Sequence, residues 1–227
     1  MNFNGKTFLL SQLDAIEFIT GIPDNSIDLV ATDPPYESIE KHRAIGTTTR
    51  LSKSSGSDNA WFQSFPNARY EELFKHIYRV LKENTHFYLF CDQETMFLTK
   101  PIAESCGFKF WKPLIWDKVA IGMGYHYRCR YEMILFFEKG KRKLNSNSIS
   151  DIITCKRIVH GYPAEKPVDV LEVLVKQSTE VGQIVLDPFS GSSSCGVAAI
   201  RNKRLFVGND ISDEAISLSN KRLSEII

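Results

Sequence analysis

Short apolar runs alternate along the chain with longer segments whose apolar residues recur at helical spacing. The clearest helical pattern lies in residues 69–82, where Leu73, Phe74 and Ile77 fall on one face. The clearest strand is the run 27–32, which is apolar enough to be buried on both faces. The predicted strands are 7–10, 27–32, 87–91, 114–116, 133–137, 184–186 and 205–207, and the predicted helices are 11–19, 69–82, 93–105, 165–175, 195–201 and 213–225.

Strands that alternate with helix-length segments are typical of a parallel sheet covered by helices on both faces. The pattern therefore predicts an α/β fold with a mostly parallel, doubly wound sheet. Ser11 is expected to cap the first helix, with Asp14 three residues later as in a capping box. The chain has 227 residues, which suits one large domain over residues 1–227.

The composition bounds the kind of partner and compartment. The formal net charge is +1, so any affinity for nucleic acid must come from local basic patches. The five cysteines form neither a C-x-x-C pair nor a Cys/His zinc spacing, which is typical of reduced thiols and predicts no metal site. Because the sequence has no signal-peptide layout and no apolar run of membrane-spanning length, we expect a soluble cytoplasmic protein.

Two polar, basic segments interrupt the alternation, at about 37–62 and 139–162. A long loop of this kind inside a compact domain is often functional, and we expect mobile or recognition loops here. Solvated surface loops are the alternative, since short runs of charge are commonly just that. The candidate nucleic-acid contacts are Lys41, Arg43, Arg50 and Lys53 in the first segment, Lys141, Arg142 and Lys143 in the second, and Tyr125 and Arg128 in the connection between them.

The sequence Asp33-Pro34-Pro35-Tyr36 directly follows the buried run 27–32. Proline fixes the backbone and donates no N–H, so a carbonyl in this pair can serve as an acceptor. Asp33 supplies a second acceptor, and Tyr36 offers a ring face on which a base can stack. The motif therefore predicts a rigid niche for a flat, amine-bearing ring, although a proline-rich turn that caps a strand has the same composition.

A second strand ends at an acidic residue, Asp187, and a turn of small residues follows it. The next strand ends near another acid, Asp210, about twenty residues later. This layout is typical of an adenosine-type cofactor site, in which the second acid accepts from ribose hydroxyls. Neither G-x-G-x-x-G nor a P-loop is present, and Asp187 would repel a pyrophosphate. A cofactor with a cationic tail, such as S-adenosylmethionine, fits better.

Four motifs in this order resemble those of the β-class amino-methyltransferases of DNA. They are the segments 23–29, 33–36, 162–167 and 187–191, and the resemblance covers nearly the whole chain. It implies a Rossmann-like methyltransferase fold with one antiparallel strand, a circularly permuted motif order, S-adenosylmethionine as cofactor and double-stranded DNA as partner, often in a restriction-modification setting. A homodimer is compatible with it.

The resemblance also implies roles for individual residues. Asp33, Pro34, Pro35 and Tyr36 would form the catalytic motif: Asp33 and a proline carbonyl orient the amine, and Tyr36 stacks on a base extruded from the duplex. Asp187 would lie at the methionine end of the cofactor, Asp210 on the ribose, and Lys166 against the methionine carboxylate unless it is a surface lysine. The implied cofactor contacts are Asp14, Ala15, Asp33, Lys166, Asp187, Pro188, Phe189, Ser190, Gly191 and Asp210.

Three positions depart from the family pattern, because Ser193 replaces a glycine and Tyr162 and Ala164 replace a histidine and a threonine. They motivate one alternative, a DNA-binding module that has lost its cofactor. N4-cytosine is an open alternative to N6-adenine as target, and Asp33, where cytosine enzymes more often have serine, favours adenine. The lack of a Pro-Cys pair argues against methylation at cytosine C5, which needs a cysteine nucleophile after a proline. Asp33 also argues against protein glutamine as the substrate, since those enzymes usually begin the motif with asparagine.

Overall fold

A single sheet of eight strands runs through the part of the chain that the computed structural model describes, residues 2–38, 64–122 and 126–227. Long strands form where β-branched and aromatic residues cluster, as in the third and fifth. The strands are β1 Phe8–Ser11, β2 Ile27–Thr32, β3 Leu81–Cys91, β4 Lys109–Asp117, β5 Tyr131–Lys139, β6 Ile152–Thr154, β7 Ile184–Asp187 and β8 Leu205–Asn209. The α-helices of the same residues are α1 Ala15–Thr20, α2 Tyr70–Val80, α3 Gln93–Ser105, α4 Val168–Ser178, α5 Ser194–Arg201 and α6 Asp213–Ser224.

The strand order is β1-β8-β7-β2-β3-β5-β4-β6. Neighbours pair in parallel except at β5, which is antiparallel to both β3 and β4. The predicted fold, a mostly parallel sheet with one antiparallel strand, is confirmed. Because β2 and β7 are adjacent and parallel, their carboxyl ends lie side by side at one edge of the sheet. This edge is called the carboxyl edge below.

Helices cover both faces of the sheet, as the double-sided burial of β2 requires. All six residues of β2 are buried. Val30 packs in one hydrophobic cluster with residues of α1 and α2, whereas Leu29 and Ala31 pack in a second cluster with residues of α4 and α5. Since successive side chains of a strand point to opposite faces, one apolar run contributes to two cores.

The first helix begins later than the sequence pattern predicts, and the expected capping box is wrong. Ser11 is the last residue of β1 and pairs with Asn209 of β8. Asp14 is itself the N-cap residue, and its carboxylate accepts the N–H groups of Ile16 at 3.0 Å and Glu17 at 3.3 Å. The parallel ladder with β8 keeps the backbone extended through Ser11, so the helix starts only at Ala15.

The segment 139–162 is not one continuous loop. It contains β6, which adds to the outer side of β4 through the pairs Ile115–Ile152 and Trp116–Ile153. The sequence prediction missed this strand because its apolar run is only two residues long, Ile152 and Ile153, and polar residues flank it. In the described part of the chain, no helix is both long and apolar enough to cross a bilayer.

Candidate active site

A cavity of about 280 Å³ opens at the carboxyl edge of the sheet. Asp33 and Pro35, which follow β2, line it together with residues 187–192, which follow β7. The two motifs are joined directly, since the Thr32 hydroxyl donates to Asp187 Oδ1 at 2.6 Å. The sheet topology therefore brings the catalytic and the cofactor motif of the sequence onto one cavity.

Asp33 lies in a network of charged and polar side chains. The Tyr36 hydroxyl donates to Asp33 Oδ1 at 2.8 Å, and the Lys166 ammonium pairs with Asp33 Oδ2. Burial raises the pKa of the Asp33 carboxyl, while the Lys166 ammonium opposes that shift. Burial and the neighbouring Asp33 carboxylate raise the pKa of Tyr36 well above its usual value, so its hydroxyl stays a donor.

Lys166 lines the cavity and is not a surface lysine. Its side chain is only 12% exposed, and its ammonium also lies 3.0 Å from Glu132 Oε1. Although burial disfavours the charge, Asp33 and Glu132 raise the pKa of Lys166 above its usual value. The ion pair with Asp33 places Lys166 at the catalytic motif, which no local sequence pattern predicted.

Glu132 and Lys118 complete this network, and sequence reasoning missed both. Lys118 Nζ lies 2.7 Å from Glu132 Oε2. Burial alone would raise the pKa of Glu132, but the Lys166 and Lys118 ammonium groups lower it to about 2. Glu132 reaches the carboxyl edge because β5 is antiparallel and therefore begins there. A carboxylate at the start of an apolar strand was the available signal.

The Pro35 carbonyl is bound by a residue further along the chain. The Pro35 carbonyl accepts the N–H of Phe65 at 2.6 Å and is therefore engaged. The Phe65 ring packs edge-on against Phe189, with ring centroids 5.1 Å apart. Phe189 belongs to the turn after β7, residues 188–191, which is called the cofactor turn below. Phe65 thus links the catalytic motif to the cofactor turn.

The turn after β7 is built around Asp187. The carboxylate of Asp187 accepts the N–H of Phe189 at 3.1 Å in addition to the Thr32 hydroxyl. Burial raises the pKa of Asp187 to about 7. Ser190 lines the cavity and is 7% exposed, and its hydroxyl has no hydrogen-bond partner among the residues that the structure describes. The turn thus presents the Asp187 carboxyl, which a cationic ligand would hold in its ionised form. It also presents the buried Ser190 hydroxyl, which can form a hydrogen bond with a ligand.

Gly191 and Asp210 close the other side of the turn. Gly191 has a φ of +50°, and a Cβ there would lie 3.3 Å from the Tyr162 ring. The Asp210 carboxylate accepts the N–H of Gly191 at 2.9 Å and that of Ser212 at 2.9 Å. Burial raises the pKa of Asp210. Pro188, Gly191 and Asp210 all line the cavity, as a cofactor role requires.

Asp14 and Ala15 lie at the same cavity. Besides capping α1, the Asp14 carboxylate accepts hydrogen bonds from the two terminal guanidinium nitrogens of Arg69, each at 2.7 Å. This interaction lowers the pKa of Asp14. The side chain of Asn209 joins the segment before α1 to the cofactor turn, because its amide donates to the Leu13 and Pro188 carbonyls at 3.0 and 3.2 Å. Sequence reasoning missed Arg69 and Asn209.

The predicted nucleic-acid contacts fall into three groups. Lys41, Arg43, Arg50 and Lys53 and also Tyr125 lie outside the described residues. Arg128 is exposed, and its guanidinium donates to the Gly122 carbonyl at 3.0 Å.

Lys141, Arg142 and Lys143 lie at the opposite edge of the sheet from Asp33, so the structure does not bring them to the cavity. Because β5 is antiparallel, it ends at the opposite edge of the sheet, where the parallel strands begin. There the Lys141 N–H donates to the Asn84 side chain, and the Arg142 carbonyl contacts His86 of β3. DNA whose base entered the cavity would approach the other edge. Nucleic-acid contact by this basic run therefore stays a prediction, at a position away from the cavity.

Ser193, which replaces the family glycine, has a left-handed backbone with φ +57° and ψ +40°. It is fully buried, and within the described part of the chain its hydroxyl has no hydrogen-bond partner. A left-handed conformation costs a residue with a Cβ roughly 1–2 kcal/mol, and an unsatisfied buried hydroxyl costs about 1–3 kcal/mol. Serine is therefore a poor fit to this turn.

We expect Ser193→Gly to stabilise the protein. Glycine adopts this backbone without strain, and its greater freedom in the unfolded chain offsets part of the gain. A net gain of about 1 kcal/mol in the free energy of unfolding corresponds to a rise of about 2–4 °C in Tm. Thermal unfolding of the variant measures it, with Ser193→Ala as the control that removes only the hydroxyl. A Tm for Ser193→Gly at or below that of Ser193→Ala contradicts this account of the turn.

The fold and the cavity define a class, the Rossmann-like α/β proteins that bind a ligand at the carboxyl ends of their strands. The sequence matches the N6_N4_Mtase family, described as DNA methylase, over residues 27–156 and 145–221. The chain belongs to this family, and the family predicted from the four motifs is confirmed.

Individual relatives agree with that placement. The chain is 27% identical over 238 residues to the Type II methyltransferase M.HpaI of Haemophilus parainfluenzae, covering 92% of this chain and 72% of the relative. It is 25% identical over 250 residues to the DNA adenine methyltransferase YhdJ of Escherichia coli, covering 92% and 80%. The same fold occurs in the M1.HpyAVI–SAM complex (TM-score 0.71, 20% identity, covering 95% of this chain and 100% of the other). It also occurs in the cytosine-N4-specific PvuII DNA methyltransferase (TM-score 0.73, 14% identity, covering 97% and 91%).

Proposed function

We propose that this DNA methylase transfers a methyl group from S-adenosylmethionine to the exocyclic N6 amine of adenine at specific sites in double-stranded DNA. The observation that carries the proposal is the shared cavity: Asp33 and Asp187 end adjacent parallel strands and line the same space. An acceptor for a base amine and a site for a cationic cofactor are therefore within reach of one another.

The residues of the cavity fit S-adenosylmethionine. Asp210 supplies a carboxylate for ribose hydroxyls, and the unpartnered Ser190 hydroxyl supplies a further polar contact. Asp187 is adapted to a positive ligand, because a nearby cation would hold its carboxyl ionised at neutral pH despite burial. Bound S-adenosylmethionine supplies an electrophilic methyl group on a sulfonium. Asp14, Ala15, Pro188, Phe189 and Gly191 are proposed as the remaining contacts.

Asp33 and the Pro34 carbonyl orient the target amine. The amine lone pair is delocalised into the base, which makes the nitrogen a poor nucleophile. Two acceptors that hold its two N–H bonds out of the ring plane localise that lone pair and aim it at the methyl group. A new N–C bond forms as the S–C bond breaks, and the amine proton passes to the Asp33 carboxylate and then to solvent. The Tyr36 ring stacks on the base.

The target base must leave the duplex to reach Asp33, which costs a few kcal/mol. Of the predicted DNA contacts in the described residues, Arg128 is retained as a candidate, because it follows β4 at the carboxyl edge. DNA contact by the basic residues of 37–62 stays a prediction. A single domain over residues 1–227 and a homodimer stay predictions as well.

Adenine is favoured over cytosine by the residue at position 33. The family's cytosine-N4 members more often have serine at this position, where this chain has aspartate. The alternative is N4-cytosine, since the same acceptor geometry serves that amine, and the PvuII enzyme with a similar fold is described as cytosine-N4-specific.

Nucleoside analysis tests the proposal. Duplex DNA of mixed sequence is incubated with the protein and methyl-labelled S-adenosylmethionine, digested to nucleosides and separated. We expect label in N6-methyladenine. Label in N4-methylcytosine would replace the adenine assignment with the alternative. No label, together with no cofactor binding by calorimetry, would instead support a DNA-binding module that has lost catalysis.

A further inference from the structure

Both carboxylate oxygens of Asp33 are already engaged within the protein. Oδ1 accepts the Tyr36 hydroxyl at 2.8 Å, and Oδ2 pairs with the Lys166 ammonium. The neighbouring Pro35 carbonyl is engaged by Phe65. The Asp33 side chain is nevertheless 25% exposed towards the cavity. These contacts therefore hold the Asp33 carboxylate in place, but one of its two oxygens is paired with the Lys166 ammonium.

A cation at this position opposes the proposed chemistry. Methyl transfer moves positive charge from the sulfonium to the amine nitrogen, next to Asp33. The Lys166 ammonium would repel that charge and would compete with the amine for Oδ2. Yet without any cation Asp33 would lose its charge to burial, since burial is the largest influence on its carboxyl. Lys166 thus has to be near Asp33 before the base arrives and further from it during transfer.

Glu132 provides a second position for the same ammonium. Its Oε1 lies 3.0 Å from Lys166 Nζ, and it also lies 3.5 Å from the Tyr36 hydroxyl. The Glu132 side chain is 15% exposed and is held on its other oxygen by Lys118 at 2.7 Å. The Phe90 ring, with its centroid 5.5 Å from Lys166 Nζ, faces the ammonium as well. A small movement can therefore transfer Lys166 from one carboxylate to the other without leaving it unpaired.

We propose that Lys166 shifts from Asp33 to Glu132 when the target amine docks, which makes Glu132 a positioning residue for methyl transfer. Glu132 draws the ammonium away and frees Asp33 Oδ2 for an N–H of the amine. Lys118 fixes Glu132 so that the carboxylate does not itself move towards the base. This inference rests on the proposed methyl transfer to an exocyclic amine.

The pH dependence of the reaction gives a signature, because Asp33 must be ionised to act. Lys166 lowers the pKa of Asp33 and Glu132 raises it. Removing Glu132 should therefore lower the pH at which activity falls on the acidic side, and removing Lys166 should raise it. Lys166, Glu132 and Tyr36 act on the pKa of Asp33, and the Asp33 carboxylate in turn raises the pKa of Tyr70, Cys91 and Asp187.

The experiment measures kcat, the KM for DNA and the acidic limb of the pH–rate profile for the full chain. For Glu132→Gln we expect kcat to fall about 10- to 100-fold, as for other misplaced catalytic groups, with KM unchanged. The acidic limb of the pH–rate profile of Glu132→Gln should move to lower pH, although kcat of this variant is lower than that of the wild type. For Lys166→Gln the acidic limb should move to higher pH.

Two further variants separate positioning from a structural role. Glu132→Gln leaves an excess positive charge in a half-buried cluster, so it is also made together with Lys118→Gln, which restores the charge balance. A merely structural Glu132 predicts recovery of kcat in that double variant, whereas the proposal predicts that kcat stays low. Asp151→Asn is the matched control, since it breaks the exposed ion pair with Lys112 (2.8 Å) outside the cavity.

The outcomes distinguish this inference from the function on which it rests. Wild-type protein that transfers no methyl group to DNA overturns both. An active wild type overturns the inference alone if Glu132→Gln keeps its kcat, if the double variant recovers, or if the two acidic limbs do not move in opposite directions.

Discussion

Asp33→Ala is expected to lower kcat for methyl transfer by at least about 10²–10³-fold, the usual loss when one preorganised electrostatic group is removed from a site. The variant loses the acceptor that localises the amine lone pair and the negative charge that offsets the developing cation. It also leaves the Lys166 ammonium, which is 12% exposed, next to the incoming amine. Single-turnover methylation of duplex DNA with saturating S-adenosylmethionine measures the effect.

The controls for Asp33→Ala concern folding and cofactor binding. Asp24→Ala removes a carboxylate that is 66% exposed and paired with Arg79, away from the cavity, and should keep wild-type kcat. Calorimetry should show that Asp33→Ala still binds S-adenosylmethionine, because the proposed ribose contact, Asp210, is unchanged. A variant that is folded, binds the cofactor and methylates DNA at the wild-type rate would refute the role of Asp33.

Asp210→Asn is expected to raise the Kd for S-adenosylmethionine about 10- to 100-fold, equal to about 1.4–2.8 kcal/mol. Asparagine keeps one acceptor but loses the charge, and its amide would face one of the two N–H groups, of Gly191 or Ser212, that the carboxylate now accepts. Both the proposed ribose contact and the shape of the turn are weakened. Isothermal titration calorimetry of the DNA-free protein provides the measurement.

Asp213→Asn is the matched control for Asp210→Asn. It removes the same charge three residues later, at an exposed position in the first turn of α6 that is not part of the cavity. Equal losses of affinity in the two variants would assign the effect to overall charge rather than to Asp210. An unchanged Kd for Asp210→Asn would remove this residue from the cofactor site.

The positions of Asp33 and Asp187 show why part of the site is readable from a sequence. Each follows a short apolar run, and consecutive strands in an α/β pattern are parallel, so acids after such runs meet at one edge. Tyr36 and residues 188–191 are readable for the same reason, as they continue the chain from those strand ends. The local sequence pattern did not indicate which side chains interact with Asp33 or with Asp187.

Contacts across the sheet account for what the sequence missed. Glu132 and Lys166 converge on Asp33 from β5 and from the segment before α4, and neither has a local signal of that meeting. The boundary of α1 was predicted wrongly at Ser11 because the pairing partner of that residue is Asn209, at the far end of the chain.

The sequence by itself determined the fold class, the order of the motifs and the acids that line the cavity, because apolar periodicity and strand-end residues are local properties. The family resemblance implied one antiparallel strand, but only the tertiary structure decided that this strand is β5, and with it which charges share the site. Running antiparallel, β5 brings Glu132 to Asp33 and carries the basic run 141–143 to the opposite edge. Strand direction depends on pairing with distant partners, and so no local pattern encodes it.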